Sequence, residues 1–549
     1  MVPNADKHDP RAGESVEMVR KASVLLTLLL SAGSVASANE WLTFGYDGQR
    51  SGWNRAEQTL SPKSVSRLKL LWETKLPIAT KDVAMASLTS PLIATGVTTP
   101  QGKRDLVFTV GMDDSLSALD AGTGAAIWRK SFPNTLKPPH AANTNCSNTE
   151  QATPVIDKAR GVIYFNTSDG MLRGAALGDG AERLTPTQMV APFSRNWSLN
   201  LIDGVVYTAA GRGCGGTTEQ PIEPGTVAAM DVHDPAHPVL TRFFTGKGRP
   251  AGPWGRGGPV KGPKGVYVQT ADGPRDPDKG LFGNAVISVP LKLEGSPDYY
   301  IPAEWKALNA RDLDLGSGSP LVFRFAGKDL VATSSKDAVV FLLDASSLGG
   351  GDHATALYKS PRLGNDAAEY YAQGVWGGIS LYQARGATYL YVPMWGPKAK
   401  NISFPKTNGD APHGSIMALR VAKTGSDFSL MPAWISRDLN LPDNVAVANG
   451  VVFAVQTGEQ AIQHPDNPDG HGRPIAGVHT LTPAELEKFR ATPVAPMTLY
   501  ALDALTGKEL YSSKDALKDW VHFNQPVVAG GRVFLVSHDA HVYAFGLKD

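Results

Sequence analysis

One short pattern of residues recurs eight times along the chain, and it constrains the fold more than any other feature. In each copy, a glycine or a polar residue opens a run of β-branched, aromatic or small residues. Such runs, bounded by turn residues, are typical of buried β-strands. The eight copies are Asp105–Val110, Gly161–Asn166, Gly204–Ala209, Gly265–Thr270, Asp329–Ser334, Tyr389–Met394, Gly450–Val455 and Arg532–Ser537.

Two further segments accompany the repeated strand. A short apolar segment, often opened by proline or glycine, precedes each copy, as in Ser90–Ile93 and Thr153–Ile156. An Ala/Leu-x-Asp segment follows many copies, as in Ala118–Asp120 and Ala501–Asp503. Each repeat is therefore a meander of short strands. Because radial packing buries both faces of such sheets, we predict an all-β fold, an eight-bladed β-propeller with four-stranded antiparallel blades.

The alternative architecture is a pair of packed β-domains. No linker rich in proline, glycine or serine divides the chain, so the repeats favour one propeller over residues 39–549. Val542–Phe545 is predicted to be a final strand that pairs near Trp72 and closes the ring. Helical periodicity is confined to Pro483–Arg490, inside an inserted stretch.

The N-terminal residues 1–38 have the pattern of a secretory signal peptide. Arg20-Lys21 precedes the apolar run Ala22–Leu30, and Ala36–Ala38 supplies a small-x-small cleavage site. The residues before Met18 fit no targeting pattern, so the true start could be Met18. The apolar run is shorter than the ~20 residues that span a bilayer. We therefore expect a secreted or periplasmic protein without a membrane span.

The chain has two cysteines, Cys146 and Cys214. In an oxidising compartment a single cysteine pair is normally a disulfide. Both residues fall in loops of the second and third predicted blades, so we predict a disulfide that links these two blades. A redox role is the alternative. Neither lies at the cleavage site, which predicts no lipid anchor. Neither belongs to a CxxCH motif, which predicts no covalent haem.

Charge balance argues against one class of partner. The chain has 53 Lys+Arg and 52 Asp+Glu, so its formal net charge is +1. Without a basic surplus there is little to neutralise phosphates, and we expect no nucleic-acid partner.

Two repeats end in a sharper motif, Ala118–Trp128 and Ala501–Tyr511. Aspartate can accept hydrogen bonds from the turn, glycine supplies a positive φ, and the aromatic residue can pack between blades. The motif resembles the tryptophan-docking turn of the pyrroloquinoline quinone (PQQ) dehydrogenases, a family of secreted eight-bladed propellers. Further similar segments are Phe44–Asp47, Leu68–Glu73, Trp254–Gly258, Thr270–Gly273, Asp312–Asp314, Ser335–Asp337, Trp376–Gly378 and Tyr391–Pro393.

This resemblance implies a cofactor and a chemistry. The family binds PQQ and a divalent cation, usually calcium, in an axial funnel, and oxidises alcohols or sugars with an aspartate as base. The resemblance implies that Asp312 or Asp314 is the base and that Lys336 contacts the quinone. It also implies an aromatic plane from Trp254 or Trp376.

The resemblance is less complete at the metal and at the cysteines. Metal-binding members use a glutamate in the third blade, for which Glu219 and Glu223 are the candidates. Asp272 stands where the family has an asparagine ligand. Many members stack the quinone on a ring formed by two adjacent cysteines, whereas this chain has only Cys146 in the corresponding stretch.

The residues before each innermost strand are expected to encircle the propeller axis. A concave ring of polar groups suits an oxygen-rich ligand or a hard cation, and Arg256 and Asn444 are its candidate cofactor contacts. Solvation of the channel, a Lys336–aspartate salt bridge and inter-blade packing of the tryptophans are the alternatives. The ring comprises Glu150, Asn196, Arg256, Asp314, Gln373, Asn444 and Asn524, with His522 nearby.

Three functions remain open from the sequence. The first is a quinoprotein oxidoreductase that oxidises the hydroxyl group of an alcohol or a sugar-type substrate and passes electrons to an external acceptor. The second is a cofactor-free scaffold for binding or assembly in the cell envelope. The third is a polymer-binding propeller or a hydrolase, although no GxSxG motif is present. The insertion 456–496 is predicted to be a surface lid, with a histidine metal site as the alternative.

Overall fold

Each repeat predicted from the sequence folds into one antiparallel sheet with four strands in meander order, so the propeller has eight blades. The first four copies of the repeated pattern form the second strands of blades 1 to 4, and the last four form those of blades 5 to 8. This computed structural model describes residues 40–78, 86–143, 146–211, 213–217, 223–246, 251–364, 373–460 and 482–548. The signal-peptide prediction for residues 1–38 lies outside them.

The first four blades follow one another directly along the chain. From the innermost strand outward, blade 1 comprises Leu92–Thr99, Gly102–Val110, Ser115–Asp120 and Ala126–Ser131. Blade 2 comprises Val155–Asp157, Val162–Asn166, Met171–Ala176 and Glu182–Gln188. Blade 3 comprises Asn200–Ile202, Val205–Ala210, Thr226–Asp231 and Val239–Phe244. Blade 4 comprises Val260–Gly262, Gly265–Gln269, Val286–Val289 and Asp298–Tyr300.

The last four blades keep this order, and the outermost strand of blade 8 comes from the start of the chain. Blade 5 comprises Leu321–Phe325, Lys328–Ser334, Val340–Asp344 and Tyr358–Lys359. Blade 6 comprises Ser380–Ala384, Ala387–Trp395, Gly414–Thr424 and Asp427–Ile435. Blade 7 comprises Ala446–Ala448, Val451–Gln456, Thr498–Asp503 and Glu509–Ser512. Blade 8 comprises Val527–Ala529, Arg532–Val536, His541–Leu547 and Leu68–Lys75.

A few elements lie outside this plan. Helix α1 (Trp305–Ala310) precedes blade 5, and α2 (Pro483–Arg490) lies in the insertion of blade 7, as its periodicity predicted. Thr482 and Glu485 form a capping box at the start of α2. The remaining short elements are the strands Trp53–Asn54, Arg275–Asp276, Leu281–Phe282 and Lys406–Thr407 and the 3-10 turns Val65–Arg67, Pro277–Lys279, Leu315–Ser317 and Gly350–Asp352.

Blades 1 and 8 close the ring through contacts at two distances from the propeller axis, one at the rim and one nearer the centre. At the rim, Leu68–Lys75 pairs antiparallel with His541–Leu547, and Trp72 lies opposite Ala544, which confirms the predicted closure. Near the axis, Asn524 of blade 8 accepts a hydrogen bond from Ser90 of blade 1 at 2.8 Å. The first and last blades are therefore joined through side chains as well as through a strand from the N-terminal part of the chain.

Tryptophans on outermost strands dock on the turn of the next blade. Trp72 lies over Gly124. A Cβ atom added to Gly124 would lie only 2.5 Å from the Trp72 ring, and the backbone φ of Gly124 is +73°. Its indole N–H donates to the carbonyl oxygen of Ala121 at 3.2 Å. Trp128 and Trp434 repeat this hydrogen bond on blades 2 and 7. The glycine of the motif is thus required both by backbone conformation and by the tryptophan that covers it.

The aspartate of the same motif builds the turn. One carboxylate oxygen of Asp120 accepts hydrogen bonds from the backbone N–H groups of Gly122 and Thr123, at 3.0 and 2.9 Å. Asp503 accepts the equivalent bond from Leu505 at 3.0 Å. These contacts are the Asx-type turns that the spacing predicts.

The segment Trp41–Asn54, which we call the belt, runs around the inner face of the ring. It hydrogen-bonds in order to the innermost strand, or to the residue just before it, in all eight blades. Backbone groups make most of these bonds, and side chains complete the set at blades 3 and 8. The partners are Ile93, Ile156, Leu199, Lys261, Val322, Leu381, Val447 and Val528. One continuous segment therefore ties together eight strands that are distant in sequence.

Arg50 fixes the belt in place. Its guanidinium group, buried at 4% exposure, donates to the carbonyl oxygens of Phe44, Leu199 and Gly257 and to the hydroxyl of Thr43, at 2.6–2.8 Å. Burial lowers its pKa to about 9. Because all four acceptors are buried with it, losing this side chain would remove a charged donor from each of them.

No helix in the described ranges is long and apolar enough to cross a membrane.

We expect Arg50→Met to lower the free energy of unfolding by about 3 kcal/mol, because several buried acceptors lose a charged donor. Urea unfolding followed by circular dichroism measures the change. Arg55→Met is the matched control: the 45% exposed Arg55 side chain pairs with Asp47 at the surface, so its loss should cost less than about 1 kcal/mol. Equal effects of the two substitutions would contradict the structural role given to Arg50.

Candidate functional site

Three aspartates from blades 4 and 5 meet near the axis. Asp312 and Asp314 precede the innermost strand of blade 5, and Asp272 follows the second strand of blade 4. One carboxylate oxygen of each lies within 4.8 Å of those of the other two. Asp314 is buried, whereas the Asp312 side chain is 60% exposed. The group therefore presents one carboxylate to solvent and keeps another in the interior.

Lys336 completes this acidic group. It follows the second strand of blade 5, and its Nζ atom lies 2.8 Å from Asp314 Oδ2 and 3.0 Å from Asp312 Oδ2. The lysine side chain is 5% exposed. The salt bridge that the sequence left open as the alternative to a cofactor contact is thus present.

Backbone and amide groups orient Asp272. Its own N–H donates to Asp314 Oδ1 at 2.9 Å, and Asn284 Nδ2 donates to Asp272 Oδ1 at 2.7 Å. Asn284 also accepts a hydrogen bond from the N–H of Leu315 at 2.7 Å. Burial, and then the negative charge of Asp314, raise the pKa of Asp272 to about 7. Sequence reasoning missed Asn284, since nothing in the pattern distinguishes it from a turn residue.

Tryptophans surround the lysine. Lys336 Nζ lies 4.8 Å from the ring centroid of Trp376 and 5.5 Å from that of Trp254. The two rings meet edge to face at 5.8 Å, and Trp376 stacks on Trp395 at 4.9 Å. Trp254 is fully buried and Trp376 is partly exposed. Cation–π attraction therefore adds to the ion pairs that hold the ammonium group.

Arg256 belongs to a second charged group on blades 4 and 7. It forms an ion pair with Asp443, and both side chains are 2% exposed. Asn444, the next residue, accepts a hydrogen bond from the N–H of Gly378 at 2.7 Å, which packs blade 7 against blade 6. The structure thus places Arg256 in a buried ion pair and Asn444 against a neighbouring backbone.

Glu459 and His522 form a buried hydrogen-bonded pair next to this group. Burial raises the pKa of Glu459 to about 8. Burial, and then the positive charge of Arg256 and Arg490, hold the pKa of His522 well below its usual value. Sequence analysis placed His522 near the axis but gave no sign of Glu459, which lies 63 positions away in another blade.

Of the remaining predicted metal ligands, Glu223 is not part of the acidic group. Glu223 is buried, and its Oε2 atom accepts a hydrogen bond from the N–H of Ala191 at 2.6 Å. Glu219 lies outside the described residues. Cys146 and Cys214 are joined in a disulfide that links the loops of blades 2 and 3, as predicted.

Every residue of the predicted axial ring is buried. Glu150 accepts hydrogen bonds from the backbone N–H groups of Gln151 and Ala152 at 2.7 and 2.6 Å, and burial raises its pKa to about 8. None of the ring residues is more than 7% exposed: Glu150, Asn196, Arg256, Asp314, Gln373, Asn444, His522 and Asn524.

The donor set fits the groups that the resemblance implies. Three carboxylates within reach of one ion suit a hard cation such as calcium, which prefers oxygen ligands. Arg256 Nε and Nη2 are buried without a hydrogen-bond partner among the described residues, and Trp254 and Trp376 offer aromatic surfaces. Cations beside aromatic faces match a planar quinone that carries carboxylates, such as PQQ.

The fold is an eight-bladed β-propeller that resembles those of solved quinohemoprotein alcohol dehydrogenases and a methanol dehydrogenase. A family model described as outer membrane protein assembly factor BamB matches residues 66–249. A search of curated proteins finds no match.

Solved structures share this fold at low sequence identity. A quinohemoprotein alcohol dehydrogenase from Pseudomonas putida is 14% identical, with a TM-score of 0.58 over 93% of this chain and 80% of that one. A quinohemoprotein alcohol dehydrogenase from Comamonas testosteroni is 12% identical, with a TM-score of 0.57 over 94% and 81%. A europium-containing methanol dehydrogenase is 13% identical, with a TM-score of 0.56 over 93% and 98%. At such identities the likeness establishes the fold alone.

We expect the acidic group to bind a hard trivalent ion. Terbium bound to these carboxylates should emit light when tryptophan is excited. Trp376 and Trp254 lie next to Lys336, and Lys336 contacts Asp312 and Asp314, so the tryptophans are close enough to transfer energy to the ion. Asp314→Asn should weaken terbium binding at least about tenfold, because a buried oxygen ligand loses its charge. Lys336→Gln should strengthen binding, because the ammonium competes for the same carboxylates.

Asp344→Asn is the control, because Asp344 pairs with Lys328 at the surface of the same blade. Terbium emission that survives Asp314→Asn unchanged would exclude a metal site at these carboxylates.

Proposed function

We propose that this protein is a secreted or periplasmic quinoprotein oxidoreductase that oxidises a hydroxyl group of an alcohol or sugar-type substrate. The meeting of Lys336 with Asp312 and Asp314 beside two tryptophans carries the proposal. The fold shared with alcohol and methanol dehydrogenases supports it. The electrons leave to an external acceptor, since no CxxCH motif occurs in the chain.

The exposure of the two acids divides their roles. Asp312 is 60% exposed and can reach a substrate in the funnel, so it is the base that takes the hydroxyl proton. Asp314 is 4% exposed and bonds both Lys336 and the backbone of Asp272, so it positions the group. Lys336 supplies a positive charge that stabilises negative charge developing on an oxygen beside it.

The cofactor and the cation would be held by the same residues. Asp272 and Asp314 would hold calcium beside Asp312, whose carboxylate would stay free as the base, and Lys336, Trp254 and Trp376 would contact PQQ. When bound, PQQ supplies the acceptor for the two electrons and the hydrogen that leave the substrate carbon. Arg256 is the further candidate for a quinone carboxylate, because two of its N–H groups have no partner among the described residues.

A second function is favoured by the family-model match over residues 66–249. In this alternative the propeller is a cofactor-free scaffold for binding or assembly in the cell envelope, and the Lys336 group is a structural salt bridge. A stable protein partner recovered with the mature chain, together with no absorbance change on adding PQQ, would select this alternative.

Activity with PQQ and calcium tests the enzyme proposal. The purified mature protein should reduce an electron-accepting dye when an alcohol or a sugar is supplied. Asp312→Asn should lower kcat by roughly 100-fold or more with little change in KM, because the general base is lost. Asp329→Asn, on the same blade and paired with Arg324 at the surface, is the control and should retain activity.

A protein that binds no PQQ and reduces no dye with any alcohol or sugar would exclude the oxidoreductase. Dye reduction that is insensitive to Asp312→Asn would exclude the role given to this residue.

A further inference from the structure

A second group of buried polar side chains surrounds Phe523, which packs in one apolar cluster with Trp197, Trp254 and Trp376. The Arg256 guanidinium lies 3.0 Å from the Phe523 ring centroid, and the His522 ring stacks on it at 3.4 Å. Trp197 packs against the same ring at 6.1 Å. His522 is bonded in turn to Glu459. Residues of blades 3, 4, 7 and 8 therefore converge on one aromatic ring.

Several polar atoms in this group have no hydrogen-bond partner among the described residues. They are Arg256 Nε and Nη2, His522 Nε2 and Glu459 Oε1, on side chains that are at most 3% exposed. Asp443 accounts for only one nitrogen of Arg256. Leaving so many buried atoms unpaired is costly, which indicates that they face a polar ligand.

The protonation of the pair decides what that ligand is. With a pKa of about 8, Glu459 is a neutral acid at pH 7, and His522 is a neutral imidazole. Glu459 then donates its proton to His522 Nδ1, so His522 Nε2 carries the remaining hydrogen. Arg256 Nε, Arg256 Nη2 and His522 Nε2 are all hydrogen-bond donors in this state, and a carboxylate is the group that such donors bind. Glu459 Oε1 is an acceptor in this state, so the ligand also needs a donor, such as a hydroxyl group next to its carboxylate.

The charges that face the pair agree with an anion. Glu459 lies near Arg256, Arg490 and Asp443, while Arg195 and His538 also act on His522. The arginines outnumber Asp443, so the surroundings are positive while Glu459 is neutral.

Phe523 covers the group in a strained backbone conformation. Its φ is +62°, a left-handed value that is rare for a bulky residue. Arg256 and His522 hold the ring in place, and the side chain is only partly buried. Strain of this kind is common where a residue moves on ligand binding.

We propose that Arg256, His522 and Glu459 form a binding site for the carboxylate of a small organic acid, with Phe523 as its movable cover. The site goes beyond the proposed oxidation, because its ligand contacts neither Asp312, Asp314 nor Lys336. It competes with the assignment of Arg256 to a quinone carboxylate, and the experiment with added PQQ below decides between the two.

Calorimetry with lactate tests the site on the purified mature protein without PQQ. Lactate should bind at least tenfold more tightly at pH 7 than 1,2-propanediol, its neutral analogue. Arg256→Lys should remove this preference, because lysine keeps the charge beside Asp443 but lacks the planar fork of donors. Arg437→Lys, in an exposed ion pair with Glu509, is the control and should keep it. Equal affinity for lactate and propanediol would overturn the proposal.

The pH dependence gives a second readout. Lactate affinity should be constant between pH 6 and 7 and fall above pH 8, because Glu459 loses its proton and repels the ligand. In Glu459→Gln this fall should disappear. A fall that persists in Glu459→Gln would overturn the role of this residue.

Two further measurements examine the cover and the source of the carboxylate. Phe523→Ala should speed lactate association several-fold in stopped-flow experiments, and an unchanged rate would exclude Phe523 as a cover.

Lactate should still bind after PQQ is added. Displacement of lactate by PQQ would assign Arg256 to a cofactor carboxylate and would overturn a separate acid site.

Discussion

The structure depends on the closure of eight sheets into a ring, and the belt Trp41–Asn54 is the interaction that secures it at the centre. Within its own blade, each innermost strand has a neighbour only on its outer side, so the blade alone leaves the backbone groups of its inner edge unpaired. The belt pairs with these edges in every blade in turn. A segment from one end of the chain thus satisfies polar groups that no blade can satisfy alone.

Closure also explains why the charged groups sit where they do. Residues just before the innermost strands are forced towards the axis, where Arg50 of the belt touches Gly257, next to Arg256. Side chains from different blades then meet at short range with little water. Burial raises the pKa of Asp272 and Glu459, and it makes ion pairs such as Arg256–Asp443 necessary. The chemistry of the funnel is therefore a consequence of the ring.

Strand patterns and turn motifs were readable because their causes are local. The repeated strand, the aspartate turn at Asp120 and helix α2 each depend on residues within a few positions of one another, and the structure has all three. The meeting of Lys336 with Asp312 and Asp314 was expected only from the family resemblance. The sequence left a salt bridge and a cofactor contact open for Lys336, and the structure shows the salt bridge. Asn284 and Glu459 gave no signal, because their partners are fixed by blade packing.

The amino-acid sequence by itself determined the number of blades, the strand order within each blade and the strand pairing near Trp72 that closes the ring. Buried strands and turns can be predicted from residues that are close together in the sequence. Only the tertiary structure decided that the belt crosses all eight blades, because backbone hydrogen bonds carry no residue signature. It alone also paired Glu459 with His522 and set Arg256 against Phe523. Those contacts join different blades, and their geometry exists only once the ring has closed.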